Sequence, residues 1–174
     1  ADQDRFVLLK LKGDILHDTG KMPDALACFD LALSAATSEA ERCRGLIGRA
    51  QVKRVIDDLD GAFADLAAAE PIAVGEGLKA EESRLRFLRG NLYFPRGDID
   101  GCVREHTRSL ELAREAQSVE LETAALGGLV TFFSARRLGA RERHRFECFT
   151  GGLVRGGERG LRLHQRIGGG ATLA

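Results

Sequence analysis

The stretch LKLKGDILHDTGKMPDALACFDLA, residues 9–32, decides the fold. Its first half places Leu9, Gly13 and Leu16 on one face of a helix, and its second half places Ala25, Phe29 and Ala32 on one face of another. Two apolar stripes so close in the chain must meet. Gly13 and Ala25 have almost no side chain, so the helix axes can approach there, while Leu16 and Phe29 fill the space on either side. Between them Gly20 suits the left-handed residue that closes a helix, and Pro23 suits the first turn of the next, where a missing N–H costs nothing.

Working outward, Gly13 recurs as Ala50, Gly90 and Val130 at steps of 37, 40 and 40 residues, each with a partner seven residues on: Gly20, Asp57, Gly97 and Arg137. A fixed step of this size predicts stacked helix pairs, an all-α chain in which each pair buries its stripe against its neighbours. The second unit has Leu46 and Ala50 on its first helix and Ala62, Leu66 and Ala69 on its second, around an Asp57-Asp58 turn. Ser38-Glu39-Ala40-Glu41 reads as a capping box that starts it, and Pro71 with Gly75 reads as its finish. The third unit has Gly90, Tyr93 and Gly97, with Cys102, His106 and Ser109 where the first has Ala25, Phe29 and Ala32. Asp98 is its N-cap, and Pro95 predicts a kink because it denies the carbonyl of Asn91 a helical donor. In the fourth unit Val130, Arg137 and Glu142 replace Gly13, Gly20 and Ala25, although Phe146 keeps the register of Phe29.

These residues resemble the tetratricopeptide repeat family, whose helix–turn–helix unit carries a Leu or aromatic, a Gly or Ala, an aromatic, and later Ala, aromatic, Ala. The first unit matches at Leu9, Gly13, Gly20, Ala25, Phe29 and Ala32. The resemblance covers residues 5–149 and implies a right-handed α-α superhelix of three to four pairs, with units at 5–37, 42–74, 82–114 and 122–149. The step departs from the family's usual period of about 34 residues. It is similar to the longer repeats of large bacterial signalling and transcription regulators, including those that follow a nucleotide-cyclase domain and an ATPase module.

Composition agrees with a helical, non-membrane chain. Of 174 residues, 44% are hydrophobic and 30% charged, with one Tyr, no Trp and three Pro, few for a β-sandwich. No apolar run approaches the roughly 18 residues that cross a bilayer, and Ala1-Asp2-Gln3-Asp4-Arg5 resembles no signal peptide, so a cytoplasmic location is expected. Lacking an initiator Met and entering a helical pattern at Phe6, the chain reads as a piece of a longer protein. Cys28, Cys43, Cys102 and Cys148 have no CxxC pair and read as reduced, mostly packed thiols.

The formal net charge of zero divides into −6 over residues 1–129 and +6 over residues 130–174. The second region has nine Gly, nine Arg, no Asp and no Lys, and Gly weakens a helix by about 0.5–1 kcal/mol each. Three readings of the tail, residues 150–174, stay open: a frayed end of the array with a short capping helix at Leu161–Ile167, a flexible or disordered basic arm, or a GC-rich gene segment translated out of frame. Its arginines favour nucleic acid weakly, since aromatic interleaving is limited to Phe146 and Phe149.

Catalytic constellations do not assemble. His17, His106, His144 and His164 are scattered, and His144 with Cys148 at i, i+4 lacks the further ligands that zinc needs. The acid pairs Asp57-Asp58 and Glu81-Glu82 read as a capping turn and a solvated helical start. The tail glycines contain no GxxxxGK[ST] and follow no strand. The expectation is a chain without catalytic activity, metal or cofactor.

The resemblance implies instead that first helices line a concave groove for a protein or peptide. Carried across, those positions are Val7, Lys10, Asp14 and His17; Arg44, Ile47, Gln51 and Arg54; and Arg84, Phe87, Asn91 and Phe94. Arg44, Arg54 and Arg84 would give the groove a basic middle able to hold the carboxylates of an acidic partner, with Ile47 and Phe87 as apolar anchors. Family members that grip a C-terminal carboxylate use a Lys and an Asn one turn apart; Lys10 fits, but Asp14 would repel that group. A rival expectation is a ligand-sensing module controlling an attached enzyme or DNA-binding domain, marked by a cavity lined with Phe87, Tyr93 and Phe94. Homo-oligomers through the ends of the array are also expected.

Overall fold

The computed structural model describes residues 2–137, and the side chains of residues 4–131. Residues 1–132 form one compact unit. Among the described residues the structure is all-helical: α1 (Asp2–Asp18), α2 (Met22–Ala35), α3 (Glu39–Val55), α4 (Leu59–Gly75), α5 (Lys79–Tyr93), α6 (Ile99–Glu115) and α7 (Val119–Arg137), with a 3-10 turn at Phe94–Arg96 after α5. Packing is closest within the pairs α1–α2, α3–α4 and α5–α6. Each pair also meets the next through α2–α3 and α4–α5, and the first helices touch in series, α1–α3 and α3–α5.

The turns explain the period. Gly20, Asp57, Gly77, Gly97 and Gln117 all have positive φ, between 52 and 79°. At each, the amide of that residue donates to the carbonyl three back and the next amide donates to the carbonyl five back, as in Lys21 N to Leu16 O at 2.8 Å and Ser118 N to Ala113 O at 3.0 Å. This is the Schellman closure, which satisfies carbonyls that a helix end would otherwise leave bare. From Asp57 to Gln117 these turns fall every 20 residues, so each helix with its turn is one half-step. The join after α2 is the exception: α2 has 14 residues and leaves through extended Ala36 (ψ 129°), which shortens the first step to 37.

Caps begin the helices as their sequences suggest. Ser38 accepts from Glu41 N, Asp58 from Gly61 N and Asp98 from Gly101 N, at 2.8–3.2 Å. The Glu41 carboxylate turns to Thr37, accepting from its amide at 2.7 Å and its hydroxyl at 3.0 Å, rather than to the Ser38 amide of a standard capping box. Pro71 does not end α4: the helix runs through it to Gly75. Pro95 does end regular α-helix, which gives way to the 3-10 turn.

Glycine sockets hold the pairs together. The buried Phe29 ring of α2 lies between Gly13 of α1, where an added Cβ would sit 3.0 Å from the ring, and Gly48 of α3, where a Cβ would overlap it. The buried His106 ring of α6 lies likewise between Gly90 of α5 and Gly128 of α7, where added Cβ atoms would stand 2.7 and 2.6 Å away. Gly128, two residues before Val130, is where α7 meets the preceding helix α6, as Gly48 is where α3 meets α2. Val130 itself is exposed. Between the sockets a continuous core joins α3, α4 and α5 through Cys43, Leu46, Ala50, Ala62, Leu66, Ala69, Leu85, Leu88 and Leu92.

Charge clamps run beside this core. Arg49 of α3 reaches Asp65 of α4 at 2.7 Å and Asp30 of α2 at 2.8 Å. Forty residues on, Arg89 of α5 reaches Glu70 of α4 at 2.6 Å and Glu105 of α6 at 2.9 Å. Each arginine ties its own pair to the preceding one. The Asp65 hydrogen bond raises the Arg49 pKa, and the Arg89 hydrogen bond holds Glu70 below the usual carboxylate range. Half-buried bidentate geometry makes such clamps stronger than surface pairs.

Glu142, Phe146, His144, Cys148, His164 and the tail at 150–174 lie outside the described residues.

Candidate functional site

The first helices contribute side chains to one cleft of about 340 Å³. Helix α1 supplies Lys10, Asp14, His17 and Asp18, α3 supplies Arg44, Ile47, Gly48 and Gln51, α5 supplies Glu81 and Arg84, and α7 supplies Glu120. Side chains one helical turn apart on a face repeat from helix to helix because the half-steps are of nearly constant length. Seven of the twelve groove positions expected from the sequence thus come together: Lys10, Asp14, His17, Arg44, Ile47, Gln51 and Arg84.

Val7, Arg54, Phe87, Asn91 and Phe94 do not line the cleft. Arg54 lies half-buried, its Nε without a hydrogen-bond partner, and burial lowers its pKa. Phe87 is turned into the packing, edge-on to the His106 ring with centroids 5.3 Å apart. Ile47 borders the cleft yet is only 6% exposed, so most of its surface serves the core.

The middle of the cleft is not basic. Three cations, Lys10, Arg44 and Arg84, stand among four carboxylates, Asp14, Asp18, Glu81 and Glu120. Lys10 Nζ pairs with Asp14 Oδ2 at 2.7 Å, and Arg44 Nε pairs with Glu81 Oε1 at 2.6 Å. Among the described residues Arg84 and Glu120 make no ion pair, which leaves them one positive and one negative point for an incoming chain. His17 Nδ1 lies 3.1 Å from Asp18 Oδ1 and 3.5 Å from Gln51 Nε2, whereas its buried Nε2 has no hydrogen-bond partner.

Glu81 and Glu82 correct the reading of a solvated helical start: both are buried, Glu81 against Arg44 and Glu82 at 3.8 Å from Arg86. Acids at a helix start are stabilised by its amides, and here Arg44 of α3 covers Glu81 as well, while Arg86 one turn on in α5 stands near Glu82. Residues 44 and 81 sit on different helices, so no local pattern announces their pairing.

The thiols are chemically quiet. Cys28, Cys43 and Cys102 are free and buried. Burial, with the nearby Glu81 charge, pushes Cys43 up to about 11, and burial with Asp98 pushes Cys102 up to about 12, so both stay protonated at neutral pH. Among the described residues no group of three His, Cys, Asp or Glu is arranged to hold a metal ion, and no helix is long and apolar enough to cross a membrane.

Comparison with family models, curated proteins and solved structures finds no match to this chain.

Proposed function

We propose that this chain is a non-catalytic protein-interaction scaffold, a solenoid of the tetratricopeptide kind, which takes an extended segment of a partner protein in the cleft between its first helices. The observation that supports this reading most is that α1, α3, α5 and α7 all present polar side chains to one cleft. Its charged groups pair with each other side by side instead of converging on one point, an arrangement suited to matching a chain of alternating charge. The partner places a carboxylate on Arg84 and a cation near Glu120. In a larger bacterial regulator such a segment would belong to a client or to a neighbouring domain.

The ligand-sensing alternative needs an aromatic-lined cavity. Phe87 packs on His106, and Tyr93 lies 5.3 Å from the Phe63 ring, over which Arg96 stacks at 4.3 Å, so these rings are engaged with their own neighbours.

Selection of random peptides on the full chain tests the scaffold reading. Selected peptides should carry an acidic residue and lose at least about tenfold in affinity for Arg84→Glu, with helix content unchanged. Peptides that bind Arg84→Glu and Glu120→Lys as well as the native chain would place the binding surface elsewhere.

A further inference from the structure

A second surface lies on the outer side of α1. Val7, Leu8, Leu11 and Ile15 are 54–66% exposed there, an apolar row along one helix face. The repeat shows what such a row contacts. Shifted by 37 residues, Leu8, Leu11 and Ile15 become Gly45, Gly48 and Val52 of α3, and shifted by 77 they become Leu85, Leu88 and Leu92 of α5. All six counterparts are buried. In α3 they are covered by α2, with Leu33 over Gly45 and Phe29 over Gly48. In α5 they belong to one buried cluster with Ala62, Leu66, Ala69 and Ala73 of α4, the helix that packs on α5 from the preceding pair.

The charge clamp falls in the same register. Lys12 stands where α3 has Arg49 and α5 has Arg89. Those arginines reach back to Asp30 of α2 and Glu70 of α4, each 19 residues earlier. Lys12 is exposed and, among the described residues, makes no ion pair. Apolar row and cation thus repeat together an interface made twice inside the molecule.

From this register we propose that the outer face of α1 docks an amphipathic helix of a partner polypeptide, with an alanine-rich apolar row like that of α4 and a carboxylate at the position of Glu70. Size complementarity selects α4 over α2 as the template. Where the receiving helix has glycines, the covering helix brings Phe29; where it has leucines, the covering helix brings mostly alanines. Leu8, Leu11 and Ile15 are large, so their partner must be small. A second copy of this chain fits less well: its α1 would set large side chains against large ones, and the small rows of its α2 and α4 are already buried in their own pairs.

A labelled synthetic peptide with the sequence of α4, residues 59–75, titrated into the full chain and followed by fluorescence anisotropy, tests this. Saturable binding is expected, weakened at least about tenfold by Leu11→Glu and by Leu8→Arg. Both positions are exposed, and retained circular dichroism would confirm folding. Lys12→Glu should weaken binding several-fold and be rescued by a Glu70→Lys peptide, a rescue that general stickiness cannot give. No saturation at millimolar peptide, equal binding of a scrambled peptide, or affinity unchanged in Leu11→Glu would overturn the proposal. So would a concentration-dependent dimer of the native chain that Leu11→Glu dissolves, which would assign the face to a second copy. Loss of cleft binding in Arg84→Glu bears on neither result.

Discussion

The first and third helix pairs share one packing plan and fill it with different chemistry. Phe6, Ala25, Phe29 and Ala32 of the first become Ser83, Cys102, His106 and Ser109 of the third, each 77 residues on, and all eight are buried. Glycine sockets clasp the large ring in both places. The two serines of the third pair satisfy each other: Ser83 Oγ donates to Ser109 O and Ser109 Oγ to Ser83 O, both at 2.8 Å. His106 is held neutral by burial, which pushes its pKa down to about 4. Shape sets the register, and polarity is then free to vary wherever hydrogen bonds can follow it.

The strongest way to break the comparison is to empty the apolar socket. Phe29→Ala should cost about 3–5 kcal/mol by urea denaturation, whereas His106→Ala, which removes less apolar surface, should cost less. Acid should separate the two pairs next. The unfolded chain protonates His106 near its ordinary 6.5 but the folded chain only near about 4, so the unfolded state binds more protons and stability falls as pH drops through that window. The loss amounts to about 3 kcal/mol at most. His106→Phe, which copies the first pair, should remove this part of the slope; an unchanged difference between pH 7 and pH 5 would show that the imidazole is not held neutral.

Smaller still, Gly48→Ala should cost about 1–3 kcal/mol by crowding the Phe29 ring, and Gly128→Ala a comparable amount against His106. Gly75→Ala, where an added Cβ meets nothing within 4 Å, is the matching control and should be neutral or slightly stabilising. Least of all, Ser83→Ala alone should cost about 1 kcal/mol by stranding its partner. The Ser83→Ala/Ser109→Ala double variant, nearer to the apolar first pair, should recover much of that in a double-mutant cycle.

Helix pairing was legible because it depends on local features: the small residue at 13 and 90, the aromatic at 29, the caps at Ser38 and Asp98. The half-step of 20 residues was harder to see, since Gln117 and Asp57 take a backbone conformation usually left to Gly. Gly48 and Gly128 were missed because they touch the preceding helix and not their own pair partner. The candidate cleft was partly legible for a related reason. Periodicity brings Lys10, Arg44 and Arg84 to one face, and Asp14 stands one turn from Lys10, but Arg44 is taken by Glu81, 37 residues on in the chain.

Among the described residues the substantial interhelical contacts all join helices no more than two places apart in the chain. A polypeptide organised this way never has to wait for a distant segment before it can close a stable turn. Each newly finished hairpin can settle on the one made before it while the ribosome is still adding residues.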